Sequence, residues 1–197
     1  MSNDDRCGGT GGCGGATAEL AFDYLAVNGL SELWSYGYLP STYRSGVDNE
    51  CIRDEKMPIA AHSSGYTLLS RNDYDEVMYA IATVGPLAVN VDASLWSKYE
   101  SGVFSGCPQE DVIINHVVQL VGYGVDEIGG DYWLIRNSWS PDWGEAGYMK
   151  LARSSGYCGT DFHNGAGVGC NYDPRNVTVC GMCGILYDVS FPTGATI

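Results

Sequence analysis

A histidine at position 116 and an asparagine at position 137 are the two side chains whose types and placing could do chemistry together. Each stands at the end of an apolar run. Asn115 to Gly124 reads N-H-V-V-Q-L-V-G-Y-G, and Tyr132 to Trp143 reads Y-W-L-I-R-N-S-W-S-P-D-W. An acidic, glycine-rich turn from Val125 to Asp131 separates them, which predicts two paired strands, His116 to Tyr123 and Tyr132 to Arg136. An antiparallel pairing brings the imidazole and the amide to the same end of the ladder. An amide oxygen on one ring nitrogen then fixes the tautomer and leaves the other nitrogen to take or hold a proton. Taken singly, a histidine among Ile113, Ile114, Val117 and Val118 reads as a satisfied core or edge residue, and Asn-Ser as ordinary turn chemistry. Taken together, the pair is half of a nucleophilic apparatus.

The elements that must position the pair can be read in order. The loop R-C-G-G-T-G-G-C-G-G, Arg6 to Gly15, runs into a helix on which Ala18, Leu20, Ala21, Tyr24, Leu25 and Val27 recur, with Asn28-Gly29 as its stop. Cys13, a thiol near a helix start, is by residue chemistry a candidate nucleophile, since Cys, His and Asn follow in that order. From Leu30 to Ile59 the chain is aromatic and loop-rich, with Trp and Tyr read as packing residues. Ser70 to Asp73 caps a second helix carrying Tyr74, Val77, Met78, Ile81 and Ala82, which Gly85-Pro86 ends. Leu87 to Val91 alternates as a strand. Ser154 to Val179 is a long insertion without periodicity, so it calls for a staple, and Cys158 to Cys170 is the local choice. His163 within it reads as a solvated loop residue.

Composition narrows the setting. A chain of 197 residues, 45% apolar and 17% charged, is globular and long enough for one large or two small domains. Its formal charge of −14 and pI near 4.3 leave no basic surface for nucleic acid or an anionic membrane, and suit an acidic compartment. No apolar run approaches the roughly 18 residues of a spanning helix, and Met-Ser-Asn-Asp-Asp is not a signal sequence. Of the eight cysteines, the pair Cys180 and Cys183 forms a C-x-x-C with no second pair at zinc spacing. Neither a metal nor a cofactor is therefore expected, and disulfides are the better reading. With the glycosylation sequon Asn176-Val177-Thr178 they point to the lysosome or vacuole or to the extracellular space, which makes Met1 an unexpected biological start.

The string H-V-V-x-L-V-G-Y-G followed by W-L-I-R-N-S-W-S-x-x-W-G-x-x-G-Y resembles the papain-like cysteine proteases. The resemblance implies an α+β, two-lobed fold: an incomplete helical left lobe over residues 1–62, and an antiparallel barrel-like right lobe over residues 63–197 with the cysteine-rich insertion at about 154–179 and a C-terminal strap. It makes His116 the acid–base residue, Asn137 its orienter, and Trp139 the cover of their hydrogen bond. Ser140 replaces the family's glycine in N-S-W-G, which alters a turn and removes no catalytic group. The family's nucleophile lies upstream of a C-x-G-G loop matched here by Cys13, Gly14, Gly15 and Ala16, so Cys13 becomes a structural half-cystine and the catalytic thiol is expected in a segment before residue 1.

Further residues follow from the same resemblance. Gly14, Gly15 and Ala16 would pair with the substrate backbone, and Asn115 would stand beside them next to His116. Asp188 would form the floor of the pocket for the substrate's second residue before the cleaved bond, with Asn90 and Ile114 as walls and Thr17 and Ala18 at the rim; a carboxylate there favours an arginine side chain. The implied disulfides are Cys7 to Cys51, and Cys107 to Cys183 or Cys180. The expected function is a cysteine-type endopeptidase acting on peptide or protein substrates, inactive in this chain without the thiol-bearing segment. The alternative is a non-catalytic homologue that serves as a binding or structural module.

Overall fold

The computed structural model describes residues 8–9, 11–37, 51–53, 56–166 and 176–197. Cys7 and Cys170, and the side chain of Cys13, lie outside the described residues. Among the described residues, two α-helices, α1 (Ala18–Asn28) and α2 (Tyr74–Thr83), accompany eleven strands. Strands β1 (Leu30–Ser31) and β2 (Ile59–Ala61) pair with each other beside α1. A seven-stranded sheet then takes β3 (Gly65–Leu68), β4 (Leu87–Val91), β5 (Val103–Phe104), β6 (His116–Asp126), β7 (Gly130–Arg136), β8 (Tyr148–Ala152) and β11 (Val189–Thr193), in the order β3-β11-β4-β6-β7-β8-β5.

Helix α2 forms for reasons visible in the sequence. The Asp73 carboxylate accepts from the Glu76 amide at 2.9 Å, and Glu76 reaches back to accept from the Ser70 amide at 2.7 Å. The first bond satisfies a donor that a helix start otherwise leaves orphaned, and the second ties the preceding chain to the first turn. Val77, Ala80 and Ile81 form the buried stripe that seals one face of the sheet, whereas Ala82 stays exposed. The core beneath contains Trp96, Leu87, Leu120, Trp133, Ile135, Met149, Leu151, Ile185 and Leu186. Helix α1 begins and ends where its sequence pattern predicts, and Gly29 at φ 68° supplies the left-handed stop. None of its residues is fully buried, and Val27 on its last turn is 83% exposed.

The expected α+β fold is observed, and its antiparallel barrel-like lobe is an open, mixed sheet. Strand β5 joins β8 in parallel, and β5 and β3 stand at opposite edges with no pairing between them among the described residues, so the ring does not close. The β6–β7 hairpin extends further than expected. Its ladder runs to Asp126 opposite Gly130, because the Asp126 carboxylate accepts from the amides of Ile128 and Gly129, both at 3.0 Å, and so closes a tight loop. Those amides, with the Lys150 ammonium, hold the Asp126 carboxyl at about 2. A register shift between Leu120 and Gly122 leaves Val121 as the extra residue of a bulge. The bulge shifts the register, so that Leu120 lies opposite Ile135, Gly122 opposite Leu134, and the exposed Tyr123 opposite the buried Trp133.

Two expected disulfides are also corrected. Cys158 bonds Cys180, not Cys170, because the insertion folds into a hairpin of β9 (Cys158–Asp161) and β10 (Val177–Cys180) whose register sets those two cysteines directly opposite each other. Cys51 is a free, exposed thiol and not the partner of Cys7. Its surroundings are the Tyr36 hydroxyl at 3.8 Å and the Arg53 backbone amide, whose hydrogen bond is the largest of the influences that lower its pKa. Cys107 bonds Cys183, one of the two partners left open by sequence, which uses both Cys180 and Cys183.

The Cys107–Cys183 bond closes 76 residues, and restraint of the unfolded chain is the main source of such stabilisation. The double variant Cys107→Ala/Cys183→Ala is expected to lose about 3 kcal/mol of unfolding free energy. Urea denaturation of the two proteins checks it; a loss below about 1 kcal/mol would mean that the bond only decorates a segment already held by packing.

Candidate active site

His116 opens β6 opposite Val91, the last residue of β4, so the imidazole sits at the end of two adjacent strands. Asn137 follows the last residue of β7, and its amide donates to the Gly147 carbonyl at 3.0 Å. His116 Nε2 and Asn137 Oδ1 are 2.9 Å apart. The roles within that bond are fixed by a second one: the Ser138 amide donates to the same Oδ1 at 2.8 Å, so the atom is the acceptor and Nε2 carries the proton. Nδ1 is thereby the nitrogen available for proton transfer.

Two tryptophans flank the ring and a third packs against both of them. Trp139 stacks on the imidazole with centroids 5.0 Å apart and planes at 30°, and remains 39% exposed, so it shields one face of the hydrogen bond. Trp96, fully buried, presents an edge to the ring at 6.4 Å and 89°. Trp143 meets Trp139 edge to face at 5.3 Å and donates its Nε1 proton to the Trp96 carbonyl at 3.1 Å. The sequence singled out only Trp139 of the three. Trp96 and Trp143 carry the signal that could have found them, since a buried indole needs a partner for its N–H.

His116 faces a cleft of about 340 Å³ whose other walls include Gly14, Gly15, Ala16, Thr17, Asn90, Ile114 and Asn115. Of the residues expected to bind substrate, these seven are brought together with the histidine. Gly8 and Gly9 also line the cleft and were missed. They lie there because Gly9 bridges Ala16 and the Thr17 amide donates to the Gly8 carbonyl at 2.8 Å, which folds the glycine-rich loop back on itself. A Cβ on Gly9 would come within 2.6 Å of the Gly15 carbonyl oxygen, so only glycine permits that approach. Ala18 lies elsewhere, in a neighbouring hollow of about 890 Å³ between α1 and the sheet that Phe22, Val118 and Asn137 also line.

Asp188 stands behind the cleft wall and is half-buried. Asn90, only 2% exposed, donates its Nδ2 proton to Asp188 Oδ2 at 2.9 Å, and its backbone amide donates to the Asp188 carbonyl at 3.0 Å. Burial, reinforced by the nearby Glu19 carboxylate and opposed by Arg71, raises the Asp188 carboxyl to about 7. The carboxylate thus communicates with the cleft through the Asn90 amide.

Ser140 holds φ at 115°, a region that costs an L-residue, and its carbonyl accepts from the Trp143 amide at 3.2 Å in the turn that carries Trp139. Ser140→Gly is therefore expected to stabilise the chain by about 1 kcal/mol, even with loss of the exposed bond from the Asp142 amide to Ser140 Oγ. Chemical denaturation checks this; a destabilised variant would show that the Oγ bond outweighs the backbone strain.

A family model described as papain family cysteine protease matches residues 3–167. The chain is 37% identical over 155 residues to cathepsin L of Sarcophaga peregrina, covering 77% of this chain and 44% of that protein. It is 38% identical over 155 residues to fruit bromelain of Ananas comosus, covering 75% and 41%. Among solved structures, digestive procathepsin L2 from the larval midgut of Tenebrio molitor superposes with a TM-score of 0.69 at 34% identity, over 91% of this chain and 47% of that one. The bromelain protease of Ananas comosus, in complex with the E64 inhibitor, gives 0.68 at 29% identity, over 91% and 70%. The chain spans less than half the length of these curated relatives.

Proposed function

The chain belongs to the papain family of cysteine proteases, and from that premise we propose that it carries the acid–base half of a cysteine-type endopeptidase. A thiolate attacks the peptide carbonyl. His116 holds the thiol's proton on Nδ1 and delivers it to the leaving amine, while Asn137 keeps the ring aimed and Trp139 excludes water from their bond. The observation that carries this reading is the 2.9 Å contact between His116 Nε2 and an Asn137 oxygen already identified as an acceptor by Ser138.

The thiol belongs, in this proposal, to sequence beyond these 197 residues. Among the described residues Cys107, Cys183, Cys158 and Cys180 are disulfide-bonded, and Cys51 lies in another hollow beside Tyr24, Tyr36 and Arg53. The hollow between α1 and the sheet offers room for the segment that brings the sulfur. Asn137 Nδ2 is buried with no acceptor among the described residues, and a carbonyl of that segment would satisfy it. Peptide substrates would lie along Gly14, Gly15 and Ala16, beside Asn115, with their second residue before the cleaved bond toward Thr17, Asn90 and Ile114. Asp188 behind Asn90 favours arginine at that residue, increasingly as pH rises through about 7.

Labelling with a thiol-directed alkylator tests the reading. The 197-residue chain is expected to lose no active-site thiol and to hydrolyse neither Phe-Arg nor Arg-Arg peptides, whereas the natural polypeptide containing the upstream segment does both. Stoichiometric alkylation of Cys13, or an extended protein that cleaves neither peptide, would overturn it; the second outcome favours a binding module. The proposed setting is an acidic lysosomal, vacuolar or extracellular one. No helix of the described residues is long and apolar enough to cross a membrane. Asn176 is exposed at the head of β10, and a glycan on it, read as a mass loss on enzymatic deglycosylation of secreted material, is the corresponding check.

A further inference from the structure

The segment from Ser105 to Asn115, which leads directly into His116, has no helix or strand. Freedom in that stretch would pass straight to the imidazole. Four consecutive backbone amides in it are nevertheless captured. The Val112 amide donates to the Thr160 carbonyl at 3.0 Å and the Ile113 amide to Asp92 Oδ2 at 3.1 Å. The Ile114 amide serves the Asp161 carboxylate, and the Asn115 amide donates to the Val91 carbonyl at 3.0 Å. Two of the four acceptors are side-chain carboxylates, and both are almost sealed from water: Asp92 is 3% exposed and Asp161 1%.

Buried carboxylates are costly unless donors surround them, so their presence here calls for a reason. Each is met by two amides. Asp92 Oδ1 accepts from Ser94 at 2.9 Å while its Oδ2 takes Ile113, and Asp161 Oδ1 accepts from His163 at 2.6 Å beside Ile114. Only a carboxylate offers acceptors at both ends, since an asparagine would turn one oxygen into an N–H facing another N–H. Asn115 completes the clasp from the other side: its Oδ1 accepts from Ala93 and its Nδ2 donates to Ser94 Oγ, both at 3.0 Å.

We propose that Asp92 and Asp161 are positioning residues that clamp the irregular approach to His116 and so aim its ring at the attacking thiol. Neither carboxylate touches the reacting atoms; they act through residues 113 to 115. The second half of this statement rests on His116 being the proton-transfer residue, whereas the clamp itself is a property of the ring's placement. The experiment reads the ring, so the two can fail separately.

The 15N-labelled chain is compared with Asp92→Asn and with Val77→Ala, a control in the fully buried stripe of α2, remote in sequence from the clamp. The control is expected to lower the melting temperature by about 5 °C. Asp92→Asn is expected to speed hydrogen exchange at the Ile113 amide at least about tenfold beyond any change in the control, and to broaden or remove the His116 Nε2–H resonance that the control retains. Asp161→Asn, on the opposite side of the segment, should do the same at Ile114, and it carries the test alone if the first variant does not fold. In the thiol-bearing protease, either clamp variant lowers kcat with little change in KM. An unchanged Nε2–H resonance, with Ile113 and Ile114 protected as in the control, would overturn the clamp. A lost resonance with undiminished kcat would keep the clamp and remove His116 from catalysis.

Discussion

His116→Ala in the complete, thiol-bearing protease is expected to lower kcat by about 10⁴-fold while KM changes little. General acid–base groups contribute roughly 10² to 10⁴, and here the same imidazole also stabilises the thiolate by its charge, which places the loss at the upper end. The substitution leaves the core intact, because the side chain is only half-buried at a strand end and Trp133, Ile135 and Leu120 pack without it. Peptide hydrolysis should therefore fall without a matching loss of thermal stability, and the rate of thiol alkylation at mildly acidic pH should fall with it. A variant that kept a tenth of the parent rate would take the proton transfer away from this residue. Asn137→Ala is expected to cost less, about 10- to 100-fold, because it frees the ring without deleting it.

The second large effect concerns pH and Asp188. Its folded-state pKa of about 7 lies above the ordinary carboxylate value of about 3.9 that applies once the chain unfolds. A raised folded pKa means that its contribution to stability is fully present below about pH 4 and is lost as pH rises through about 7. Three pKa units correspond to about 4 kcal/mol, an upper bound for the loss between pH 4 and pH 8. Asp188→Asn should flatten the profile over that interval and raise stability at pH 8 by up to about 4 kcal/mol, since the amide oxygen can still accept from Asn90 Nδ2. Denaturant titrations of both proteins at pH 4, 6 and 8 decide it; parallel profiles would show that Asp188 is not the group responsible.

Asp126 acts in the opposite sense at the acid end. Its pKa of about 2 is depressed by the amides of Gly129 and Ile128 and by Lys150, so its contribution is present above about pH 4 and is lost as pH falls through about 2. The two carboxylates together favour the mildly acidic range. That range fits the proposed compartment, and it fits a chain with 24 acidic against 10 basic residues, whose self-repulsion eases as carboxylates take up protons.

Much of the site was legible in the residues. The strand ends that carry His116 and Asn137 follow from alternation and turn chemistry, and the start and stop of α1 and the cap of α2 follow from local hydrogen-bonding rules. The long apolar strings around them carried the family. Pairings that depend on which strands meet were less legible. Cys158 opposite Cys180 requires a register across 22 residues, and no local rule states that Ser154 to Val179 contains a hairpin. Asp92 reads in sequence as a polar residue after a strand, and Asp161 as part of a loop. The contacts that make them acceptors for Ile113 and Ile114 join segments about 20 and 47 residues away.

By itself, the order of residues determined the strand ends that carry His116 and Asn137, the left-handed stop of α1 and the apolar stripe of α2 that faces the sheet, because each of these depends on neighbours within a few positions. Only the tertiary structure decided that the sheet stays open, that Cys51 is free, that Asp188 bonds the cleft residue Asn90, and that two indoles flank the imidazole. Those outcomes depend on distances between residues far apart along the chain, which are fixed by how side chains fill a common core and by where each buried donor finds an acceptor.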